Sequence, residues 1–176
     1  MARTMRCSLI LPVLILLLAS PALAVHLQDV YAQAGPGQGY DKLLVLDPGQ
    51  VYTGYLIIMD GIRCGIRGNG ALIRLDPGAT ISAYTGVTLD VDGCVITGGE
   101  VALGYADCPA SQVTNCTLAG NTIGLALANS LVTVANCIIA DNQQYGVCWM
   151  TGPRPTQWYN NAWGNGELNY ATFCDG

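Results

Sequence analysis

Histidine and phenylalanine each occur once in this chain, and lysine occurs once. Only 11% of the residues carry charge. The single histidine, His26, lies near the N-terminus, so no His cluster can hold a transition metal and no internal imidazole can serve as an acid or base. Twelve acidic residues against seven basic ones give a net charge of −5. Such a surface repels phosphate backbones and disfavours nucleic-acid binding. No convincing 3.6-residue apolar pattern is present beyond the N-terminal leader, which argues against amphipathic helices.

The leader is the one long apolar run. Arg3 and Arg6 precede Leu9 to Leu18, and Ser20-Pro21-Ala22-Leu23-Ala24 ends in Ala-x-Ala. These are the parts of a secretory signal peptide over residues 1–24, with cleavage expected between Ala24 and Val25. The run is too short for a membrane span, and no second one follows. The expected mature protein is therefore exported, extracellular or periplasmic, with no membrane attachment. It would have 176 − 24 = 152 residues and a net charge of −7, since two basic residues are lost. Seven cysteines remain: Cys64, Cys94, Cys108, Cys116, Cys137, Cys148 and Cys174. Export permits disulfides, and an odd number leaves at least one thiol free or paired between chains.

What is abundant is glycine, asparagine at corners, and repetition. Asn115-Cys116-Thr117-Leu118-Ala119-Gly120-Asn121 returns as Asn136-Cys137-Ile138-Ile139-Ala140-Asp141-Asn142. An earlier version is Gly93-Cys94-Val95-Ile96-Thr97-Gly98-Gly99, and a later, shorter one is Asn160-Asn161-Ala162-Trp163-Gly164-Asn165. Equivalent cysteines are 116 − 94 = 22 and 137 − 116 = 21 residues apart. Before these, Leu46-Asp47-Pro48-Gly49 and Tyr52-Thr53-Gly54 recur as Leu75-Asp76-Pro77-Gly78 and Tyr84-Thr85-Gly86. A period near 22, with three-to-six-residue apolar strands and Asn/Gly corners, predicts an all-β, single-stranded parallel β-helix of five to six coils. Residues 25–45 are expected to cover the first coil, and 46–176 to form the β-helix.

Two columns should run along such a solenoid. Asn115, Asn136 and Asn160 precede the repeated strand, where asparagine tolerates left-handed backbone, and Asn121, Asn142 and Asn165 follow it. Stacked amides satisfying the corners make both a structural ladder. Cys94, Cys116 and Cys137 occupy one stacked interior position. Disulfide Cα separations overlap the spacing between coils, so a disulfide and a ladder of small apolar thiols both fit. Asn115-Cys116-Thr117 also matches a glycosylation sequon, with Asn115 expected at a buried corner and hence a poor acceptor.

These phrases, with Leu46-Asp47-Pro48-Gly49-Gln50-Val51-Tyr52-Thr53-Gly54 and Ile66-Arg67-Gly68-Asn69-Gly70-Ala71, resemble right-handed parallel β-helix proteins of the pectate-lyase-like superfamily. The resemblance covers roughly residues 44 to 170 and is specific for the fold. It implies several activities, because lyases, hydrolases, esterases, binding proteins and fibres share these repeats. In many relatives the Tyr159 to Asn165 coil is followed by further coils, whereas here Gly176 ends the chain, which is short beside catalytic members.

Lyase chemistry on this fold would place stacked carboxylates around calcium, with an Arg or Lys as base. The candidates are Asp60, Asp90 and Asp92 with Arg63, Arg67 and Arg74. If Leu89 and Val91 point inward, Asp90 points out. Asp60 and Asp92 precede glycine, however, and Asp-Gly is also what a tight corner uses. The hydrolase branch would need clustered aspartates with Gly-His-Gly and Arg-x-Lys, which are missing. Gln143-Gln144 beside Asp141 is only a faint echo of the esterase branch. Aromatic residues gather near the C-terminal end, and Trp149, Trp158 and Trp163 either stack on sugars or cap the last coil.

The sequence therefore predicts an exported, non-catalytic β-helix module with a polysaccharide or cell-surface partner and no cofactor. Two alternatives stand beside it. One is a degenerate calcium-dependent polysaccharide lyase-like enzyme. The other is a structural solenoid that associates end to end through exposed strand edges.

Overall fold

The computed structural model describes residues 24–59 and 61–172. Residues 1–23 of the leader, Asp60, Phe173 and Cys174 lie outside the described residues. The chain winds through short strands that pair only with the coils before and after. Three parallel sheets result, each running the length of the solenoid. The first contains β1 (Val25–His26), β3 (Val51–Gly54), β6 (Leu72–Leu75), β9 (Val95–Thr97), β12 (Thr117–Ala119), β15 (Ile138–Ala140) and β18 (Asn161–Trp163). The second contains β4 (Leu56–Ile58), β7 (Thr80–Tyr84), β10 (Val101–Ala106), β13 (Ile123–Ala128), β16 (Tyr145–Thr151) and β19 (Leu168–Thr172). The third contains β2 (Lys42–Val45), β5 (Arg63–Arg67), β8 (Thr88–Asp92), β11 (Ser111–Thr114), β14 (Val132–Ala135) and β17 (Thr156–Trp158). A parallel β-helix of about six coils follows.

Period-two alternation decides what lies inside. On β8, Leu89 and Val91 are buried and Asp90 is outward, as expected. One interior column of the third sheet reads Ile66, Val91, Val113, Val134. In the last coil it ends in Gln157, so the core turns polar where it meets solvent. At the opposite end a seven-residue helix, α1 (Leu27–Gln33), packs against β1 to β4 and buries Leu27 completely. The sequence pattern gave no sign of this helix, because two turns are too few to show a period.

The cysteines stack in one column. Thr117 pairs with Val95 on one side and Ile138 on the other, which stacks the preceding Cys94, Cys116 and Cys137. All three are buried free thiols, as are Cys64 and Cys108. The ladder is therefore the outcome, while Cys148 is disulfide-bonded. Each thiol of the column bonds the carbonyl two residues earlier: Cys116 Sγ to Thr114 O at 3.1 Å and Cys137 Sγ to Ala135 O at 3.3 Å.

The asparagine columns differ in kind. Asn121 and Asn142 are buried and point inward, whereas Asn115 and Asn136 are exposed, left-handed corner residues. The expectation of a buried Asn115 corner is thus corrected. Asn160 is also placed differently. Ile138 pairs with Asn161, so Asn160 stacks on Cys137 and the left-handed corner falls to Tyr159. Its amide replaces a thiol: Nδ2 donates to Val134 O at 2.8 Å, and Oδ1 accepts the Cys137 N–H at 2.9 Å.

Candidate functional site

Outward positions of the third sheet form two polar stripes along the axis. In one, Gly65, Asp90, Gln112, Thr133 and Thr156 stack in register. In the other, Arg67, Asp92 and Thr114 stack, followed by Ala135 and Trp158. Beside the first stripe is a groove of about 440 Å³, flanked by Arg63 toward the α1 end and Arg154 toward the last coil. Strand pairing thus brings Asp90, Asp92, Arg63 and Arg67 together. It separates Arg74, which sits on β6 of the first sheet.

Both carboxylates are already engaged. Asp90 Oδ2 accepts the Tyr40 hydroxyl at 2.7 Å, and its Oδ1 accepts the Gln112 N–H at 2.8 Å. Asp92 Oδ1 accepts the Thr114 hydroxyl at 2.7 Å and the Asn115 amide at 2.6 Å. Its Oδ2 pairs with the Arg67 guanidinium at 3.4 Å. Partial burial alone would raise the Asp92 pKa. The bonds from Thr114 and Asn115, with the charge of Arg67, outweigh it and hold the carboxyl below its usual range. Asn136 Nδ2 donates to Asn115 Oδ1 at 2.7 Å, so Asp92, Asn115 and Asn136 form an outer chain of polar contacts.

Tyr40 is the residue that sequence reasoning missed. Its ring lies over Gly65, with the Arg63 and Arg67 guanidinium carbons 5.9 Å and 5.8 Å from the ring centroid. Burial and the bond to Asp90 both push its hydroxyl pKa up, so it donates at neutral pH. A glycine inside the strand Arg63-Cys64-Gly65-Ile66-Arg67 was the available signal, since such a residue marks a close approach. Among the described residues no three His, Cys, Asp or Glu side chains converge as a metal site.

The tryptophans do not share a face. Trp149 is on the second sheet, half-buried against the core, with its Nε1 donating to Gly152 O at 3.2 Å and the Arg154 guanidinium 5.0 Å from its ring. Trp158 is exposed on the third sheet and Trp163 on the first.

Residues 62–173 match the model of the right handed beta helix region family. The chain belongs to this family. No curated protein and no solved structure shows significant similarity to the chain. The right-handed β-helix assignment covers every coil from β5 onward within its match, and it carries no single activity.

Proposed function

We propose that this right-handed β-helix protein is a non-catalytic, exported module that binds an acidic polysaccharide along the outer face of its third sheet. The observation that carries the reading is the distribution of positive charge. Five basic residues follow Ala24, and Lys42, Arg63, Arg67 and Arg154 all lie on the third sheet or in the turn entering it. Lys42 caps the carbonyls of Tyr31 and Ala34, and Arg67 is paired with Asp92, which leaves Arg63 and Arg154 flanking the groove. Asp90 also lines the groove, but its two oxygens accept the Tyr40 hydroxyl and the Gln112 N–H, which leaves Arg63 and Arg154 as the charged groups open to an anionic chain. Gln112, Thr133 and Thr156 offer an amide and hydroxyls at the spacing of the coils, about 4.8 Å, suited to sugar hydroxyls.

Catalysis finds no equivalent support. The two carboxylates are committed to protein donors, and the guanidinium nearest them is ion-paired. A general base must reach a substrate proton, and these groups are occupied elsewhere.

Isothermal titration with polygalacturonate, alginate and a neutral glucan tests the reading. The acidic glycans should bind, Arg63→Ala and Arg154→Ala should each weaken binding roughly tenfold, and added salt should weaken it further. Release of unsaturated oligosaccharides, with or without calcium, would show catalysis and overturn the non-catalytic reading. Equal binding of neutral glucan would remove the role given to the arginines.

A further inference from the structure

Cys94, Cys116 and Cys137 lie one above another inside the solenoid, in three successive coils. We infer that this column is a disulfide-exchange site, in which Cys116 is the shared member of two alternative bridges, one to Cys94 and one to Cys137. The groove of the third sheet plays no part in it.

Strand register puts each neighbouring pair within bridging distance. Val95, Thr117 and Ile138 are partners across adjacent strands, so the cysteines just before them stack at the inter-coil spacing, about 4.8 Å. A disulfide takes Cα separations of about 4.4–6.8 Å, which the column meets as it stands. It also takes Cβ separations of about 3.5–4.5 Å, so closing a bridge asks only a small approach of two side chains. Cys94 and Cys137 are two steps apart, about 10 Å, which is too far for a bridge between them.

The sulfurs already lean along the column. Cys116 Sγ lies 3.7 Å from Val91 O and Cys137 Sγ lies 3.5 Å from Val113 O, each a carbonyl of the coil below. The Cys116 thiol has both Cys137 and Cys94 as hydrogen-bonding neighbours. The remaining buried free thiols stand apart. Cys64 has Lys42 and Leu89 as its partners in the adjacent coils. Cys108 lies at another corner, where its Sγ bonds Ala83 O at 3.4 Å and its N–H bonds Ser130 Oγ at 3.0 Å.

The structure holds the column as three thiols, and the oxidant is a small-molecule disulfide such as oxidised glutathione. One column thiolate attacks it, forms a mixed disulfide and releases one small thiol. The neighbouring column thiolate then attacks the column sulfur of the mixed disulfide and releases the second. Two column thiols are oxidised, one external disulfide is reduced, and the two protons leave on the released thiols. The third cysteine stays reduced and stands in line with the new S–S bond. Its thiolate attacks Cys116, the bond to the far partner breaks, and that partner takes up the proton. The bridge thereby moves by one coil with no net oxidation. None of the three cysteines is more than 2% exposed, so the oxidant reaches them only while coils are parted, in folding or local opening.

The experiment refolds the full chain from denaturant in a glutathione redox buffer, traps free thiols by alkylation and maps the disulfides by peptide mass spectrometry. The native sequence should give both bridges at partial occupancy, together no more than one per chain, with a melting temperature above that of the same sample reduced by dithiothreitol. Cys94→Ala should shift the bridge wholly to Cys116 and Cys137, and Cys137→Ala wholly to Cys94 and Cys116. Cys116→Ala should leave both outer cysteines reduced. The map of the native sequence decides the matter even if a variant fails to fold. Full alkylation of all three cysteines after oxidative refolding would overturn the inference. So would a single bridge with no trace of the other, or one joining the column mainly to Cys64 or Cys108.

Discussion

Asn142 closes the corner of the coil beneath it: its Oδ1 accepts both the backbone N–H of Asn121 at 3.1 Å and the Asn121 side-chain amide at 3.2 Å. Asn121 repeats the arrangement one coil lower, accepting the Gly99 N–H at 3.0 Å and donating to Ile96 O at 3.1 Å. Asn165 continues it upward, accepting from the Asn142 N–H and amide at 3.1 Å and 2.8 Å. Each amide thus satisfies groups of its own coil and of its neighbours, in an interior where an unpaired polar group is costly.

Asn121→Ala should therefore destabilise the protein far more than an exposed substitution. Truncation leaves the buried Gly99 N–H without its partner and removes the bonds to Ile96 O and Asn142 Oδ1 from the ladder, a cost of about 3 kcal/mol. Thermal unfolding should shift down by roughly 6–12 °C. A shift as small as that of the exposed Asn115→Ala would show that the inner ladder is dispensable.

The buried thiols predict a loss of stability at high pH. Burial pushes the Cys64 thiol up to about 12, despite the opposing charge of Lys42. At Cys116 the bond from Cys137 favours the thiolate, but the contact with Cys94 and burial outweigh it and bring the thiol up to about 12. A group with a raised native pKa contributes stability that is complete below its unfolded value, near 8.5, and is lost as pH rises toward the native value. Unfolding free energy should accordingly decline above about pH 8.5, by up to about 1.4 kcal/mol per pH unit for each such thiol. Denaturant titrations at pH 7, 9 and 10 measure this, and Cys64→Ala should flatten the slope.

Asp92 predicts the opposite limb. Its native carboxyl titrates below the unfolded value near 3.9, so its contribution is complete above that pH and is lost as pH falls through the lower native value. Half-exposure and solvent screening keep the effect small. Asp92→Asn should reduce stability slightly at pH 7 and remove part of the decline below pH 4. An unchanged acid limb in the variant would exclude Asp92 as its source.

Gly124→Ala should be among the most damaging single-methyl additions. The new Cβ would lie 2.6 Å from Gly146 O, 2.7 Å from Ile139 Cγ2 and 2.9 Å from Asn142 Nδ2, with backbone on one side and the buried ladder on the other. Overpacking of this kind costs about 1–3 kcal/mol or more. Gly35→Ala, where nothing lies within 4 Å, provides the comparison and should be close to neutral. Similar melting temperatures for both variants would contradict the packing described.

Most of the coil pattern was legible in the residues. Thr117–Ala119 and Ile138–Ala140 are the triplets that follow the cysteine in the repeated phrase, because each repeat length maps onto one coil and each alternation onto one face. The last repeat was misread for a specific reason. It is one residue shorter, and aligning Asn160 with Asn136 looks natural until the pairing of Ile138 with Asn161 moves it into the cysteine column. In the candidate site, Arg63 and Arg67 lie on β5 and Asp90 and Asp92 on the paired strand β8. Arg74 was drawn in by closeness in sequence, although a corner turns it onto another sheet.

What the sequence by itself determined is the stacking: parallel coils, an inward thiol column, asparagine ladders flanking the repeated strand, and a core that alternates with an outward polar face. These follow from local periodicity, in which one repeat predicts the next. Tertiary structure alone decided which sheet each strand joins, and so gathered the arginines on one face. It also decided the placement of Tyr40, 50 residues from Asp90 in the chain. Tyr40 belongs to no repeat, so no periodicity could point to its partner, and only the folded hairpin brings its ring over the bare backbone of Gly65.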